Sequence, residues 1–517
     1  MQEPATDTGA AALEPLAIVG AGCRLPGGVH TPEDYWALLC EGRDAITDGP
    51  PEEWRREALA HPDAYPYGGF LDSIDGFDWR ALHTSPREAR FMDPQQRLAL
   101  EVAWEAFEHA GMSMESLAGR RAAVAVGIMW PDYAKLQARD MGRLDGYTVT
   151  GSGFAYAANR ISAFFDLLGP SFSLDVMCAS SLAAVHLACQ SIWSGEVDMA
   201  LAAGVNLILS PDTNVAMTKA RILSPDGRCK TLDERANGFV RGEGAAAIVI
   251  KPAAQAAADG DRVIALIRGT AFNHSGRNEW IMAPSREAQA AVIADACRRA
   301  GVSPAELDMV EMHGTGTEKG DPIEAAALGD TVGAGRDPGS PCRVGSVKTN
   351  IGHLDSAAGI AGLLKAALSL HHGKVPPSLH FQSPNPAIDL DSLGLAVQTE
   401  LGDWPHAERR RLAGVTALAF GAANAHAVLE GPPAPQPAEP TREGPLIVPV
   451  SAESDVALGE LLADHVALVR DAGAAALEDI AFTAARRRTH RAARAAAVGS
   501  TGEELAERLE EAARAVA

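Results

Sequence analysis

Apolar positions along the chain fall into two successive series of short runs, each run separated from the next by an amphipathic stretch. In the first series, LAIVG at 16–20 has the length and composition of a buried strand. Residues 32–48 carry a helical pattern, and 49–73 is a Pro-rich, aromatic stretch expected to be surface loop. Ser85 followed by Glu88 forms a capping-box pair, and Pro94 opens an amphipathic helix at about 95–109. Strands and helices then alternate from a strand at 122–128 to about residue 252. The second series starts near Arg262. It contains a helix at 285–300, a strand at 309–312, a helix after Asp321, a strand at 342–347 and a helix at about 356–371. A Pro-rich region follows at 376–412, then a strand pair at about 413–420 and 425–430. No sequence repeat of fixed period is present, yet the two series have similar content. That predicts a layered α/β architecture with a duplicated plan.

One stretch stands out within this pattern: GPSFSLDVMCASSLAAVHLACQSIWSG, 169–195. An apolar-leaning run from Phe172 to Met177 stops at Cys178, and a helical pattern starts at once. Leu182, Val185, Cys189 and Ile192 recur at spacings of three and four, Ser180 and Ser181 suit a first turn, and Gly195 is a natural stop. The expectation is a strand that hands a cysteine directly to a helix N-terminus, where unpaired N–H groups and the helix dipole favour a thiolate. Such a cysteine is a nucleophile that needs no base in permanent contact. A buried core cysteine fits the same stretch equally well.

Beyond residue 430 the pattern changes. Residues 431–445 (GPPAPQPAEPTREGP) hold six prolines and no recurring apolar position, the composition of a linker. LIVPVSA then reads as a strand, and 454–472 as a helix with Leu458, Leu461, Leu462, Val466 and Leu468 on its apolar side. A basic turn, ARRRTHRAARAAAVG, feeds a short strand, and GEELAERLEEAARAV reads as an exposed terminal helix. This tail, 446–517, is a small α/β unit with a thin core that should pack on something larger. Its Arg486, Arg487, Arg488 and Arg491 suit an acidic partner. Residues 1–13 read as a loose leader, acidic and polar rather than a signal peptide.

Composition narrows the chemistry. With 517 residues, 47% of them hydrophobic, the chain can bury a large core in two or three domains. The seven cysteines have no paired spacing, which points to reduced thiols and a cytoplasmic setting. No CxxC cluster or HExxH supports zinc. The balance of 45 basic against 67 acidic residues, a formal charge of −22, argues against nucleic acid, and no apolar run approaches a membrane span. GAGCRLPGG near residue 20 lacks the GxGxxG pattern and the lysine of a phosphate loop.

Three downstream islands place polar residues at strand ends, where open α/β sheets bind ligands. They are MVEMHGTGTEKGDPIEAAAL with His313, VGSVKTNIGHLDSAAGIAGLLK with Lys348 and His353, and TALAFGAANAHAVLE. Singly each histidine fits a structural role as well as a catalytic one, and His186, His274 and His426 read as structural. One cysteine at a helix start, two histidines after strands and a nearby lysine can together perform acyl chemistry on a thioester.

With MDPQQRL (92–98), GFVRGEG (238–244), HGTGT and GDPIEA (313–325), VKTNIGH (347–353) and NAH (424–426), the chain resembles the β-ketoacyl synthase domains of modular type I polyketide synthases. The resemblance spans about 14–430, and the tail resembles the linker domain between ketosynthase and acyltransferase. It implies a thiolase-like five-layer αβαβα fold with two halves, about 14–255 and 256–430, and a homodimer. Cys178 matches the nucleophile that takes an acyl chain from a phosphopantetheine thioester on acyl carrier protein. His313 and His353 match the pair that supports malonyl decarboxylation and polarises the thioester carbonyl. Lys348 matches the lysine that orders the site, with Glu318 or Asp321 as its acidic neighbour. The backbone N–H groups of Cys178 and Phe420 match the oxyanion hole. The implied reaction is decarboxylative Claisen condensation with a (methyl)malonyl thioester, needing no metal, flavin or nicotinamide. A domain that only transfers or gates acyl chains, or serves mainly as a docking scaffold, is the alternative.

The chain departs from the family pattern in places. It reads DVMCASS where the family usually reads DTACSSS, so Met177 adjoins the nucleophile, and its side chain should point away from Cys178 if strand alternation holds. AFGAANAH at 419–426 puts Ala422 and Ala423 where a glycine and a threonine are usual; alanine at a positive φ would cost about 1 kcal/mol. Glu279 and Trp280 stand where small residues are usual, facing the pocket or a surface loop. Met177, Trp280, Ala422 and Ala423, with Thr315 and Thr317 beside His313, are the selectivity candidates. They predict a slightly more apolar pocket floor, favouring hydrophobic over hydroxylated acyl chains.

Overall fold

In a computed structural model, which describes residues 13–337, 339–406, 408–434 and 444–516, the two apolar series fold into one duplicated plan. The first half supplies β1 (Leu16–Arg24), β2 (Ala122–Ile128), β3 (Ser171–Leu174), β4 (Met199–Asn206) and β5 (Gly244–Pro252). The second supplies β6 (Ala265–His274), β7 (Met309–Glu311), β8 (Cys342–Gly345), β9 (Leu395–Val397), β10 (Leu412–Leu418) and β11 (Ala423–Glu430). Hydrogen bonding joins all eleven in the order β9-β8-β7-β10-β11-β6-β1-β5-β4-β2-β3. Outward from the β1–β6 seam, each half repeats one order. Its first strand pairs antiparallel with its last, the last antiparallel with the next, and two parallel strands follow, with β9 added as a third in the second half. The duplication that the similar content predicted is thus present in topology without any sequence repeat.

Both faces of the central strands are apolar because they face two cores. On β5, Ala246, Ile248 and Ile250 point to one cluster, while Ala245, Ala247 and Val249 point to another. The shared inner cluster holds two helices, α2 (Ser180–Trp193) and α4 (Ala358–His372), each touching strands of both halves. The outer faces are covered by α1 (Pro94–His109) over the first half and α3 (Arg286–Ala300) over the second. Five layers result, helix–sheet–helix–sheet–helix.

Several local expectations need correction. The helix expected over 32–48 is Pro32–Glu41, ended by Gly42 at φ 60°. The loop expected over 49–73 holds a helix, Glu53–Leu59, whose Arg55 is buried against Glu243. Of the capping-box pair, Ser85 Oγ accepts from Glu88 N at 3.1 Å, while the Glu88 carboxylate turns to Arg160 at 2.6 Å. The strand expected to 347 stops at Gly345, and Lys348 opens a helical turn, Lys348–Ile351.

The tail folds as β12 (Leu446–Ala452), α5 (Asp455–Arg470), α6 (Ala474–Arg486), β13 (Ala493–Gly499) and α7 (Gly502–Val516). Leu468 faces solvent, and Val469 is buried in its place beside Leu458 and Leu462. The terminal helix, expected to be exposed, buries Leu505, Ala506 and Leu509 on α5 and β13. The arginine run is not a free basic patch. Arg487 pairs with Asp261 at 3.0 Å, Arg488 donates to the Glu108 carbonyl at 3.0 Å, and Arg491 lies 4.2 Å from the Trp104 ring centroid. The small unit therefore uses its basic residues to seat on the larger one. Residues 1–12 of the expected leader and 435–443 of the expected linker lie outside the described residues.

Candidate active site

The site forms where the third strand of each half gives way to its inner helix. In the first half, β3 ends at Leu174 and α2 starts at Ser180, so the cysteine does not pass directly from strand to helix. A tight turn intervenes. Met177 adopts φ 56°, Ser180 Oγ donates to the Met177 carbonyl at 2.6 Å, and Val176 N donates to Ser180 Oγ at 2.9 Å. Strand alternation therefore does not govern Met177, and the inference about its side-chain direction loses its basis. The helix start is pressed into the core because glycines face it: a Cβ on Gly127 would lie 2.5 Å from Ser181 N.

Cys178 is 2% exposed, and burial pushes its thiol up to about 12. The Asp355 carboxylate raises it further. Lys348 and the N–H groups of Phe420 and of Cys178 itself act in the opposite direction. The expected resting thiolate is thus replaced by a neutral thiol, because loss of solvent outweighs the favourable backbone dipoles. Those same two N–H groups, the pair expected to form an oxyanion hole, are directed at the sulfur. Phe420 sits in the hairpin turn between β10 and β11, its ring 6.0 Å from that of Phe239.

The second half brings His313, Lys348 and His353 to the same place. His313 follows β7, and the Glu324 carboxylate clamps its turn by accepting from His313 N at 2.7 Å and Gly314 N at 2.9 Å. Its ring lies 5.2 Å from that of His353, nearly perpendicular, and its Nδ1 has no partner among the described residues. Burial, then the charge of Lys348, holds His313 well below the usual imidazole range. His353 is held the same way, down to about 3. Asp355 N donates to His353 Nδ1 at 3.1 Å, so that nitrogen carries a lone pair and the proton sits on Nε2. Nε2 is buried without a partner among the described residues: a fixed, neutral donor open to the site. The His353 backbone is locked to the GFVRGEG segment, donating to the Val240 carbonyl and accepting from Gly242 N, both at 2.7 Å.

Lys348 is buried, which lowers its pKa, while Glu311 and Glu324 act to raise it. Neither acid suggested by sequence is its main neighbour. Glu318 is exposed, and Asp321 pins the Gly/Thr loop by accepting from Leu232 N at 2.7 Å and Gly316 N at 3.1 Å. Burial takes the Asp321 carboxyl up to about 6 and that of Glu324 to about 7. Glu311 forms a buried pair with Lys365 at 2.7 Å and accepts from Val347 N at 2.6 Å, fixing the start of the Lys348 turn.

Other selectivity candidates are scattered. Thr315 and Thr317 are half-buried on the His313 loop with their hydroxyls 3.2 Å apart. Ala422 and Ala423 are buried in the Phe420 turn, and Ala422 does adopt a positive φ, 62°. Trp280 is 49% exposed on a loop next to exposed Ile281, so the surface-loop alternative describes its place. His186 and His426 are structural in setting, bonded through Nδ1 to Thr270 and Thr416 hydroxyls at 2.8 and 2.9 Å, and His274 is exposed.

Sequence patterns did not single out Asp355 and Arg241. Asp355 Oδ2 meets Arg241 Nη2 at 2.7 Å and Nε at 3.0 Å, and accepts from Trp130 Nε1 at 3.0 Å. Cys178 Sγ, a His353 ring nitrogen and an Asp355 carboxylate oxygen all lie within 4.8 Å of one another. The set is poor for a cation, because Arg241 already neutralises the carboxylate and the thiol stays protonated. The signal for both residues was their place inside conspicuous motifs, two residues after His353 and within GFVRGEG.

Comparison with known proteins agrees with this architecture. Residues 13–256 match the Beta-ketoacyl synthase, N-terminal domain, 264–382 the Beta-ketoacyl synthase, C-terminal domain, and 384–498 the Ketoacyl-synthetase C-terminal extension. The chain is 44% identical over 495 residues to one polypeptide of the phenolphthiocerol/phthiocerol polyketide synthase of Mycobacterium tuberculosis, covering 93% of this chain and 32% of that protein. To a second polypeptide of the same synthase it is 46% identical over 443 residues, 83% of this chain and 24% of that one. The chain thus spans a third or less of these curated relatives. Among solved structures, an oxazolomycin ketosynthase domain from Streptomyces albus JA3453 is similar at a TM-score of 0.89 and 37% identity, covering 96% of this chain and 88% of that one. The ketosynthase from module 6 of the Bacillus subtilis 168 bacillaene synthase has a TM-score of 0.86 and 36% identity, with coverage of 97% and 85%. With its thiolase-like halves and its C-terminal extension, the chain belongs to the β-ketoacyl synthase family and is a condensing enzyme of the polyketide ketosynthase type.

Proposed function

We propose that Cys178 carries the acyl chain and that His313, His353 and Lys348 convert a (methyl)malonyl thioester into the attacking carbon nucleophile. The observation that supports this most is the pairing of opposites around one sulfur: a buried thiol facing two backbone N–H groups, with two neutral imidazoles alongside. In the first step Cys178 attacks a thioester carbonyl, and the developing oxyanion is met by the N–H groups of Phe420 and Cys178. In the second, loss of CO₂ from the malonyl thioester leaves an enolate whose oxygen is met by His353 Nε2–H and by His313. The enolate carbon then attacks the acyl carbonyl, and the Cys178 sulfur departs.

Lys348 contributes a fixed positive charge that disfavours protonated imidazoles, so both rings serve as hydrogen-bond donors and not as acids. Both acyl groups arrive on the phosphopantetheine arm of acyl carrier protein, and the chain binds no cofactor of its own. The working unit is a cytoplasmic homodimer alongside an acyltransferase, without membrane or nucleic-acid partners. β3, a four-residue strand at the end of the sheet, is the edge offered for pairing, and among the described residues no helix is long and apolar enough to cross a membrane. Ala422 and Ala423 line an apolar floor favouring unhydroxylated chains. Incubation with an acyl thioester and intact-mass detection of the adduct on Cys178, followed by product analysis with malonyl carrier protein, tests the assignment. An absent adduct refutes it, and an adduct without a new carbon–carbon bond leaves a gating domain.

A further inference from the structure

We propose that Asp355 is the proton relay of Cys178, taking the thiol proton as the sulfur attacks and returning it to the departing pantetheine thiolate. This rests on the reading of Cys178 as the acyl carrier. Acylation of a neutral thiol requires somewhere for its proton to go, and the neighbouring imidazole is ill suited to receive it. His353 Nδ1 is occupied by the Asp355 N–H at 3.1 Å, so the nitrogen open to the site already bears a hydrogen.

The Asp355 carboxylate lies within 4.8 Å of both Sγ and a His353 ring nitrogen, short enough for a single water to carry a proton across. Its two oxygens are unequal. Arg241 Nη2, Arg241 Nε and Trp130 Nε1 all donate to Oδ2, whereas no donor is bonded to Oδ1 among the described residues. Oδ1 is therefore the basic oxygen. The backbone shows the same commitment: Asp355 adopts φ 45°, a left-handed conformation unfavourable for a non-glycine residue, and this placement serves both His353 and the carboxylate. Arg241 keeps the bound proton from residing there, which suits a relay better than a store.

The step balances. The S–H bond breaks as Sγ bonds to the acyl carbon, and the proton passes through one water to Oδ1. The tetrahedral adduct then expels the pantetheine sulfur with the electron pair of the C–S bond, and Oδ1 returns the proton to it. Asp355 ends as the carboxylate it began, and no further reactant is consumed.

Electrostatics alone predicts the opposite sign for the test. Asp355 raises the Cys178 pKa, so removing its charge would ease ionisation and speed loading. The relay predicts that Asp355→Asn slows Cys178 acylation from an alkyl thioester by about 10²-fold, the usual worth of a positioned general base. From an aryl thioester, whose thiolate leaves without a proton, the return leg is dispensable and the loss shrinks to about tenfold or less. Asp355→Glu retains a carboxylate and recovers most of the alkyl-thioester rate.

Loading of the Asn variant at or above the wild-type rate overturns the relay, as does equal slowing with both thioesters. Should the Asn variant fail to fold, Asp355→Ser is read the same way: an alkyl-thioester rate that falls further than the aryl-thioester rate supports the relay, and equal slowing or none overturns it. A wild-type protein that forms no adduct on Cys178 would instead defeat the assignment of the nucleophile, so the two failures are distinguishable.

Discussion

The two halves of the duplicated fold reach the active site at equivalent points, β3 to α2 in one and β8 to α4 in the other, yet they are built by opposite means. The first junction has to place one sulfur atom. It does so with backbone geometry: Met177 at φ 56°, the Ser180 hydroxyl bridging the turn, and glycine-lined strands that admit the helix start. The second has to hold a proton on chosen nitrogens. It is longer, passes through the Lys348–Ile351 turn, and is braced by buried charges, Glu311 with Lys365 and Arg241 with Asp355. Buried pairs of this kind contribute little net stability but are costly to break singly. A duplicated scaffold thus offered two sites of the same shape. Shape alone sufficed where position mattered, and desolvated charge was added where protonation state mattered.

The largest expected effect tests the first junction. Cys178→Ala abolishes acyl loading and leaves thermal unfolding close to wild type, since a small buried side chain replaces another. An adduct at the wild-type rate would mean that the junction presents some other nucleophile. The second junction answers differently. His313→Ala and His353→Ala still load Cys178, at reduced rate, but lose about 10²–10³ in carbon–carbon bond formation, the cost of one oxyanion donor. Ketide formation unchanged in either variant would erase the proposed division of labour.

Protonation separates the junctions further. With the thiol pushed up to about 12, alkylation of Cys178 by a neutral reagent rises about tenfold per pH unit from pH 7 to 9, without a plateau. A plateau in that range would restore a resting thiolate. Lys348→Met removes the charge that holds the imidazoles neutral, so the pKa values of His313 and His353 rise. Wild-type His353 protonates only near pH 3; in the variant, condensation fails at a higher pH as acid is added, because a protonated Nδ1 can no longer accept the Asp355 N–H. An acid limb that does not move would show that Lys348 acts by another route.

These differences follow what a sequence can carry. The apolar runs announced β1, β2, β7 and the two inner helices, because strands and helices sandwiched between two cores have little choice of composition. The motif islands pointed to Cys178, His313, Lys348 and His353, which the fold places beside one another. What stayed hidden was decided by contacts between distant segments or by backbone angles. Val176 and Met177 have strand-like composition, so nothing local distinguishes the end of a strand from a left-handed turn. Arg241 and Asp355 stand 114 positions apart, and the value of either appears only once both are buried together. The arginine run was legible as basic, but not that Asp261 and Trp104 were waiting for it.

The smallest expected effect concerns strain in the turn that carries the Phe420 N–H. Ala422 closes the hairpin between β10 and β11 at φ 62°, donating to the Ala419 carbonyl at 2.9 Å and accepting from Ser275 N at 2.8 Å. Left-handed backbone costs a residue with a Cβ about 1–2 kcal/mol, which glycine would avoid. Against that, glycine gives up about 0.5–1 kcal/mol through the freer unfolded chain. It also loses a buried methyl worth roughly 0.8 kcal/mol, less whatever the neighbours recover by closing in. The terms nearly cancel, so Ala422→Gly shifts stability by less than about 1 kcal/mol in either direction. Its effect on dynamics is larger in kind: the turn gains freedom, and amide hydrogen exchange at Phe420 and Gly421 quickens while that of Val176 to Ser180 is unchanged. Should exchange instead quicken in both segments, the two junctions would be mechanically coupled through the sulfur, and the contrast between a shape-built and a charge-built half would lose its independence.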